Sequence, residues 1–279
     1  MSEECTHNCD SCAANCGSRQ EKVDLHEKLN PMSQVKKVIG VVSGKGGVGK
    51  SLVTSMLAVE MNRRGFHTAV LDADITGPSI PKIFGIHEKA TGSEFGLHPV
   101  TSKGGVEVMS INLLLDEETM PVVWRGPILA GAVTQFWTDV AWGELDVLLI
   151  DMPPGTGDVP LTVYQSLAVD GTIVVSTPQS LGQMVVGKAK KMADMLSIPV
   201  LGMVENMSYA VCPDCGRRIE LFGTPEGLEQ AAAEMGVPLL TRLPMNPDVA
   251  RLCDEGEIER VVCEEMEPAA DAVERLLKE

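Results

Sequence analysis

The chain has 279 residues, 44% of them hydrophobic and 4% aromatic, and a formal net charge of −16. That length fits one α/β domain of about 240 residues plus an extension, with an aliphatic, methionine-rich core of the kind parallel sheets bury. The acidity argues against the basic face of a nucleic-acid binder and against an anionic membrane surface. No apolar run approaches the roughly 20 residues of a membrane-spanning helix. The opening Met-Ser-Glu-Glu-Cys-Thr-His lacks the basic and apolar regions of a secretory signal. The expected location is cytoplasmic, where eight cysteines point to metal or redox chemistry rather than disulfides.

In chain order, residues 1–35 form a polar, Cys-rich N-terminal extension carrying Cys5, Cys9, Cys12 and Cys16, and Pro31 marks its boundary. Residues 36–279 alternate strand-like and helical stretches. Strands are expected at 37–43, 68–71, 106–111, 147–150, 172–176, 200–204 and 239–243. Helices are expected at 128–140, 181–196 and 225–235, with 87–105 a surface loop or hairpin. Alternating β and α elements predict an α/β fold, a parallel sheet flanked by helices with right-handed crossovers.

The most informative stretch follows the first strand. Ser43-Gly44-Lys45-Gly46-Gly47-Val48-Gly49-Lys50-Ser51 contains the P-loop pattern G-x-x-x-x-G-K-[ST] at Gly44, Gly49, Lys50 and Ser51. Glycines let backbone N–H groups curl around a phosphate, Lys50 supplies charge, and Ser51 offers a hydroxyl to magnesium. The apolar run before the loop and the helical pattern after it supply the context this motif requires. At the next strand end stand Asp72 and Asp74, on the ligand-binding edge of such a sheet. An ordinary turn cap is the competing role for Asp72. A further apolar run ends in Asp151, the Walker B arrangement for holding magnesium. No N-K-x-D guanine signature occurs, so ATP is favoured over GTP.

The second lysine of the loop, Lys45, resembles the deviant Walker A loop of the superfamily that contains MinD, ParA, the nitrogenase iron protein and the Mrp/ApbC iron–sulfur carriers. The segment Asp72-Ala73-Asp74-Ile75-Thr76-Gly77-Pro78-Ser79 is similar to that superfamily's switch I. Asp151-Met152-Pro153-Pro154-Gly155-Thr156-Gly157-Asp158 is similar to its switch II, in the form of the Mrp/ApbC branch. Trp124-Arg125-Gly126-Pro127, Glu205-Asn206-Met207-Ser208, and Leu243-Pro244 leading to Asp254-Glu255-Gly256 match as well. The resemblance covers about residues 36 to 279. It implies a P-loop ATPase acting as a nucleotide-sandwich homodimer. Lys45 would reach the partner's phosphates, and Asp74 would orient or deprotonate the attacking water. Asp72 would support magnesium through its water shell, and Asn206 would hydrogen-bond adenine.

Cys212-Pro213-Asp214-Cys215 follows Asn206. A C-x-x-C pair binds metal, exchanges disulfides or does neither, and Gly216-Arg217-Arg218 reads as a knuckle turn rather than the helix start of a thioredoxin motif. Two thiolates do not fill a four-coordinate site, but two pairs across a symmetric dimer do. Iron–sulfur and zinc both suit four thiolates. The resemblance implies a labile 4Fe–4S cluster held here between protomers and passed to apo iron–sulfur client proteins. Cys5-x₃-Cys9-x₂-Cys12-x₃-Cys16 lies close to the ferredoxin-type run. A second 4Fe–4S site is expected there, with zinc or an unliganded tail as alternatives. Cys253 and Cys263 are expected to be buried free cysteines among helical apolar residues. His7, His26, His67, His87 and His98 show no ligand spacing.

The leading function is therefore an ATP-dependent iron–sulfur cluster carrier. The rivals are a MinD/ParA-type positioning ATPase and a nitrogenase-reductase-like electron carrier. The first needs a membrane helix or a basic DNA face, whereas Glu267 to Glu279 is acidic. The second wants a cluster cysteine soon after switch II, and residues 152–211 contain none.

Overall fold

A computed structural model describes residues 26–115, 126–223 and 225–279. The four N-terminal cysteines, His7 and Trp124-Arg125 lie outside the described residues. The strands are β1 (Ser33–Ser43), β2 (Thr68–Asp72), β3 (Thr91–Ser93), β4 (Gly96–His98), β5 (Val100–Thr101), β6 (Glu107–Met109), β7 (Gly143–Asp151), β8 (Gly171–Ser176), β9 (Val200–Glu205), β10 (Ala210–Val211), β11 (Arg218–Ile219) and β12 (Leu239–Arg242). The helices are α1 (Lys50–Arg63), α2 (Ile80–Ile83), α3 (Gly126–Asp139), α4 (Asp158–Ser166), α5 (Ser180–Met195), α6 (Pro225–Glu234), α7 (Pro247–Asp254) and α8 (Glu267–Lys278).

Eight strands form one sheet in the order β12-β9-β8-β1-β7-β2-β6-β5. All neighbours run parallel except the edge strand β5, which returns antiparallel to β6. Both faces are covered. Val38, Leu71, Leu148 and Ile150 pack with Phe136 and Trp137 of α3, Val163 of α4 and Ala189 of α5 on one side. Ile39, Val41, Val70 and Leu149 pack with Leu57 and Met61 of α1 and Val273 of α8 on the other. Burial on both faces is why these strands read as continuous aliphatic runs rather than alternating patterns.

All seven expected strands and all three expected helices are present. The first strand begins earlier than expected, at Ser33, and the chain ahead of it is already docked: Glu27 N–H donates to the Ser166 carbonyl at 2.7 Å and Trp137 Nε1 donates to the Glu27 carbonyl at 3.0 Å. The run at 106–111 is shorter than expected, because β6 ends at Met109 and Ile111–Leu113 turns into a 3₁₀ segment. The β3–β4 hairpin accounts for the expected loop at 87–105. Cys253 and Cys263 depart from expectation. Both are half-buried, and Cys263 is an extended residue in the link between α7 and α8, just ahead of a 3₁₀ turn and not in an α-helix.

Order within the sheet positions the site. β1 is central, with β7 and β8 on either side. The loops at the carboxyl ends of β1, β2, β7, β8 and β9 therefore converge on one edge, the ligand-binding edge of an open α/β sheet.

Candidate nucleotide and metal site

The loop from Gly44 to Gly49 leaves β1 and feeds α1 at Lys50. Gly49 is in the left-handed region, at φ 79°, where side chains are disfavoured. A Cβ there would also lie 2.2 Å from Asn206 Nδ2, so this position admits glycine on two counts. Gly46 to Leu52 border a cavity of about 220 Å³ together with Ser43, Asp74 and Pro154. The structure thus brings the phosphate loop, the switch I carboxylate Asp74 and a switch II proline to one hollow over the N-terminus of α1. Backbone N–H groups and the helix dipole make that hollow attractive to phosphate.

Beneath it lies a buried polar cluster. Lys50 Nζ is 2.7 Å from Asp151 Oδ2, with the lysine 6% and the aspartate 0% exposed. Ser51 Oγ donates to Asp151 Oδ2 at 2.6 Å and Thr54 Oγ1 donates to Asp151 Oδ1 at 2.7 Å. Asp72 is the register partner of Asp151 on the adjacent strand and is itself fully buried. Its Oδ1 accepts from Asp74 N–H at 3.2 Å, and its Oδ2 accepts from the N–H groups of Ser79 and Ile80 and from Ser110 Oγ at 3.1 to 3.3 Å. Asp72 therefore ties down the switch I turn. Burial, and then the neighbouring Asp151 carboxylate, push the Asp72 carboxyl above the usual carboxylate range. A divalent cation is the group that would offset this repulsion. Ser51, Asp151 and Asp72 are a hard-oxygen donor set that fits magnesium. Asp74 is half-buried at the cavity wall, with Thr76 Oγ1 donating to its Oδ1 at 3.1 Å.

Lys45 does not face the cavity. Its ammonium extends along the rim to Gln179 Oε1. Asn206 is buried, and its Nδ2 donates to the Val48 carbonyl at 2.9 Å. It stands beside a second, larger hollow of about 430 Å³, walled by Leu52, Met56, Leu243, Pro244, Met245, Val249 and Val262. This hollow is mainly apolar and opens next to the phosphate loop, as a nucleobase requires.

Past Asn206 the chain enters the cysteine hairpin. β10 and β11 pair antiparallel, with Val211 opposite Arg218, and Arg218 covers the Tyr209 ring at 4.4 Å. Cys212 N–H donates to the Arg217 carbonyl, and Gly216 N–H donates back to the Cys212 carbonyl, both at 2.9 Å. Gly216, at φ 68°, makes the turn possible. The result is a knuckle and not a helix start, as the sequence implied. The thiol of Cys212 is held below its ordinary range by the backbone N–H groups of Cys215 and Asp214 and by the Cys215 side chain. Burial pushes Cys253 and Cys263 up to about 11. Among the described residues no cluster of three or more His, Cys, Asp or Glu side chains is arranged to hold a metal; the knuckle offers two. In reduced, metal-free protein at pH 7.5, Cys212 is expected to alkylate with iodoacetamide at least tenfold faster than Cys253 or Cys263, because the thiolate is the reacting form. Peptide mass spectrometry against time checks this.

Sequence reasoning found Lys45, Lys50, Ser51, Asp72, Asp74, Asp151 and Asn206, and all of them fall at this edge. It missed Thr54, Ser110 and Gln179. For Thr54 a signal existed: a hydroxyl one turn after Lys50, on the face of α1 that points at the sheet.

A phosphate-cradling loop, a Walker B carboxylate and a switch segment at the carboxyl edge of a parallel sheet define a P-loop NTPase. A model of the NUBPL iron-transfer P-loop NTPases within the ParA group matches residues 34–279, and the chain belongs to this family. It is 44% identical over 259 residues to an iron-sulfur cluster carrier protein of Methanocaldococcus jannaschii, spanning 91% of this chain and 89% of that one. It is 44% identical over 238 residues to a carrier of the same description from Clostridium perfringens, spanning 82% and 83%. A nucleotide-binding protein from Archaeoglobus fulgidus, solved in complex with ADP, superposes with a TM-score of 0.75 at 45% identity over 84% of this chain and 91% of that one. The cell division ATPase MinD of Pyrococcus furiosus shares the fold, with a TM-score of 0.61 at 21% identity over 87% and 99%. Among the described residues no helix is long and apolar enough to cross a membrane.

Proposed function

We propose that this protein is an ATP-hydrolysing carrier that holds a 4Fe–4S cluster, as cargo, between two copies of itself and delivers it to apo-proteins. The observation that carries this is the knuckle. It presents Cys212 and Cys215 at the tip of a paired two-strand stem, with one thiol already biased toward thiolate. Two thiolates are half of a cubane's ligand set, and a two-fold axis supplies the other half. Relatives named as iron-sulfur cluster carriers support the cargo, and the relative solved with ADP supports an adenine nucleotide.

In this scheme the backbone from Gly44 to Ser51 cradles the phosphates. Lys50 leaves Asp151 for the β- and γ-phosphates. Ser51 and Asp151 would hold magnesium, with Asp72 behind them, and the ion would supply positive charge against the phosphates. Asn206 has its amide N–H on Val48, so its Oδ1 is the acceptor for the exocyclic amine of adenine in the apolar hollow. Lys45 crosses to the partner's phosphates. Cys5, Cys9, Cys12 and Cys16, ahead of the docked segment that begins at Glu27, form a second cluster site.

Asp74 stands at the cavity wall and orients the water that attacks the γ-phosphorus. Asp74→Asn keeps its shape and its contact with Thr76. The expected result is unchanged nucleotide affinity with hydrolysis reduced about 10²–10⁴-fold, the size of lost acid–base help. Fluorescent-nucleotide titration beside a phosphate-release assay tests it, and wild-type turnover by the variant would remove Asp74 from this role.

A further inference from the structure

Lys45 poses a problem that its proposed role does not answer. A lysine meant for the partner's phosphates must be kept out of its own site until the partner arrives. The structure shows where it goes. Ser43 Oγ donates to the Lys45 carbonyl at 3.1 Å, fixing the backbone, and the ammonium donates to Gln179 Oε1. Gln179 is the extended residue immediately before α5, and its side chain makes no cap bond to that helix. Glutamine is a poor cap, and here its amide oxygen faces the lysine instead.

The arrangement is electrostatically weak by construction. A cation beside a helix N-terminus opposes the positive end of the helix dipole. The ammonium's partner among the described residues is a neutral oxygen, on a side chain exposed to water. The adjoining segment is also not fully satisfied: Thr177 is 5% exposed, and among the described residues its Oγ1 has no hydrogen-bond partner, an uncommon state for a buried hydroxyl. A weak hold suits a group that must be released.

We propose that Gln179 is a positioning residue that parks Lys45 on its own subunit, setting how readily two copies assemble into the hydrolysing dimer. This rests on the proposed cross-subunit role of Lys45. Breaking the Lys45–Gln179 hydrogen bond is then part of the cost of pairing. Removing the oxygen eases pairing. Replacing it with a carboxylate opposes pairing, because an ion pair is stronger and a carboxylate also suits the helix N-terminus.

The test is steady-state ATP hydrolysis by the full-length protein as a function of its own concentration. In Gln179→Ala and Gln179→Met, the concentration giving half-maximal rate is expected to fall about threefold. In Gln179→Glu it is expected to rise about tenfold, these being the effects of losing an exposed hydrogen bond to the ammonium and of replacing it with an ion pair. All three should melt with the wild type, since Gln179 is exposed. Opposite signs for Ala and Glu are what a merely structural role would not give. Shifts in one direction only, shifts that follow melting temperature, or no shift would overturn the inference. Lys45→Ala separates the failures. If it hydrolyses ATP at the wild-type rate, the cross-subunit reading is wrong and this inference falls with it. If it is inactive while the Gln179 variants match wild type, the inference alone is wrong.

Discussion

Lys50→Ala is expected to abolish ATP binding and to weaken the fold at the same time. The two effects have one cause. Lys50 is the charge that faces the phosphates, and in the structure it is also the counter-ion of Asp151, 2.7 Å away and equally buried. Removing it leaves Asp151, among the described residues, supported by the hydroxyls of Ser51 and Thr54, with Asp72 in register on the next strand. An uncompensated buried charge costs about 3–5 kcal/mol. Lys50→Met keeps most of the apolar stem and should lose binding in the same way, with a similar loss of stability. Adding Asp151→Asn to Lys50→Met removes the stranded charge and should restore stability but not binding. Urea unfolding of the three variants, beside nucleotide titration, checks the account. A stable Lys50→Met that still binds ATP would contradict it.

The second large effect concerns the knuckle. Cys212→Ala with Cys215→Ala is expected to lose cluster transfer to an apo-acceptor completely while nucleotide affinity stays within about twofold of wild type. Neither thiol touches the core: the hairpin stands on a two-residue stem, and the backbone bonds that shape the turn, Cys212 N–H to Arg217 and Gly216 N–H to Cys212, survive truncation of the side chains. The substitution therefore acts on metal binding alone, within the few tenths of a kcal/mol usual for surface changes. Undiminished transfer by this variant would sink the assignment of the knuckle as the cargo site.

How much of this could be read in the sequence follows from how local each feature is. The phosphate loop was legible because its chemistry needs consecutive residues, Gly44 through Ser51. Switch I and switch II were legible for the same reason, each being a strand end followed by its own turn. β1, β7 and β8 were legible because strands buried on both faces read as aliphatic runs. The partners were not legible. Asp72 owes its position to Ser79, Ile80 and Ser110, and Asn206 meets Val48 across 158 residues of chain. Lys45 meets Gln179 across 134. No spacing rule reports such pairs. β10 and β11 are two residues each, too short for any period, so the cysteine pair was recognised by its turn residues and not by its stem. α4 escaped notice because Pro160 and the glycines before it mask its period. Cys263 was misplaced because the link from Gly256 to Met266 contains apolar residues but forms only two short 3₁₀ turns, with Cys263 an extended residue between them.

The measurement that bears most directly on the carrier assignment is anaerobic iron and acid-labile sulfide analysis of protein lacking residues 1–25. The cut stops short of Glu27 and Asn30, which pin the chain to the folded body. Only the knuckle then remains to hold a cluster by the proposed ligands. The account predicts a brown dimer with about two irons and two sulfides per protomer, and none in the same protein carrying Cys212→Ala and Cys215→Ala. Zinc in place of iron, or iron retained after both cysteines are removed, would contradict it.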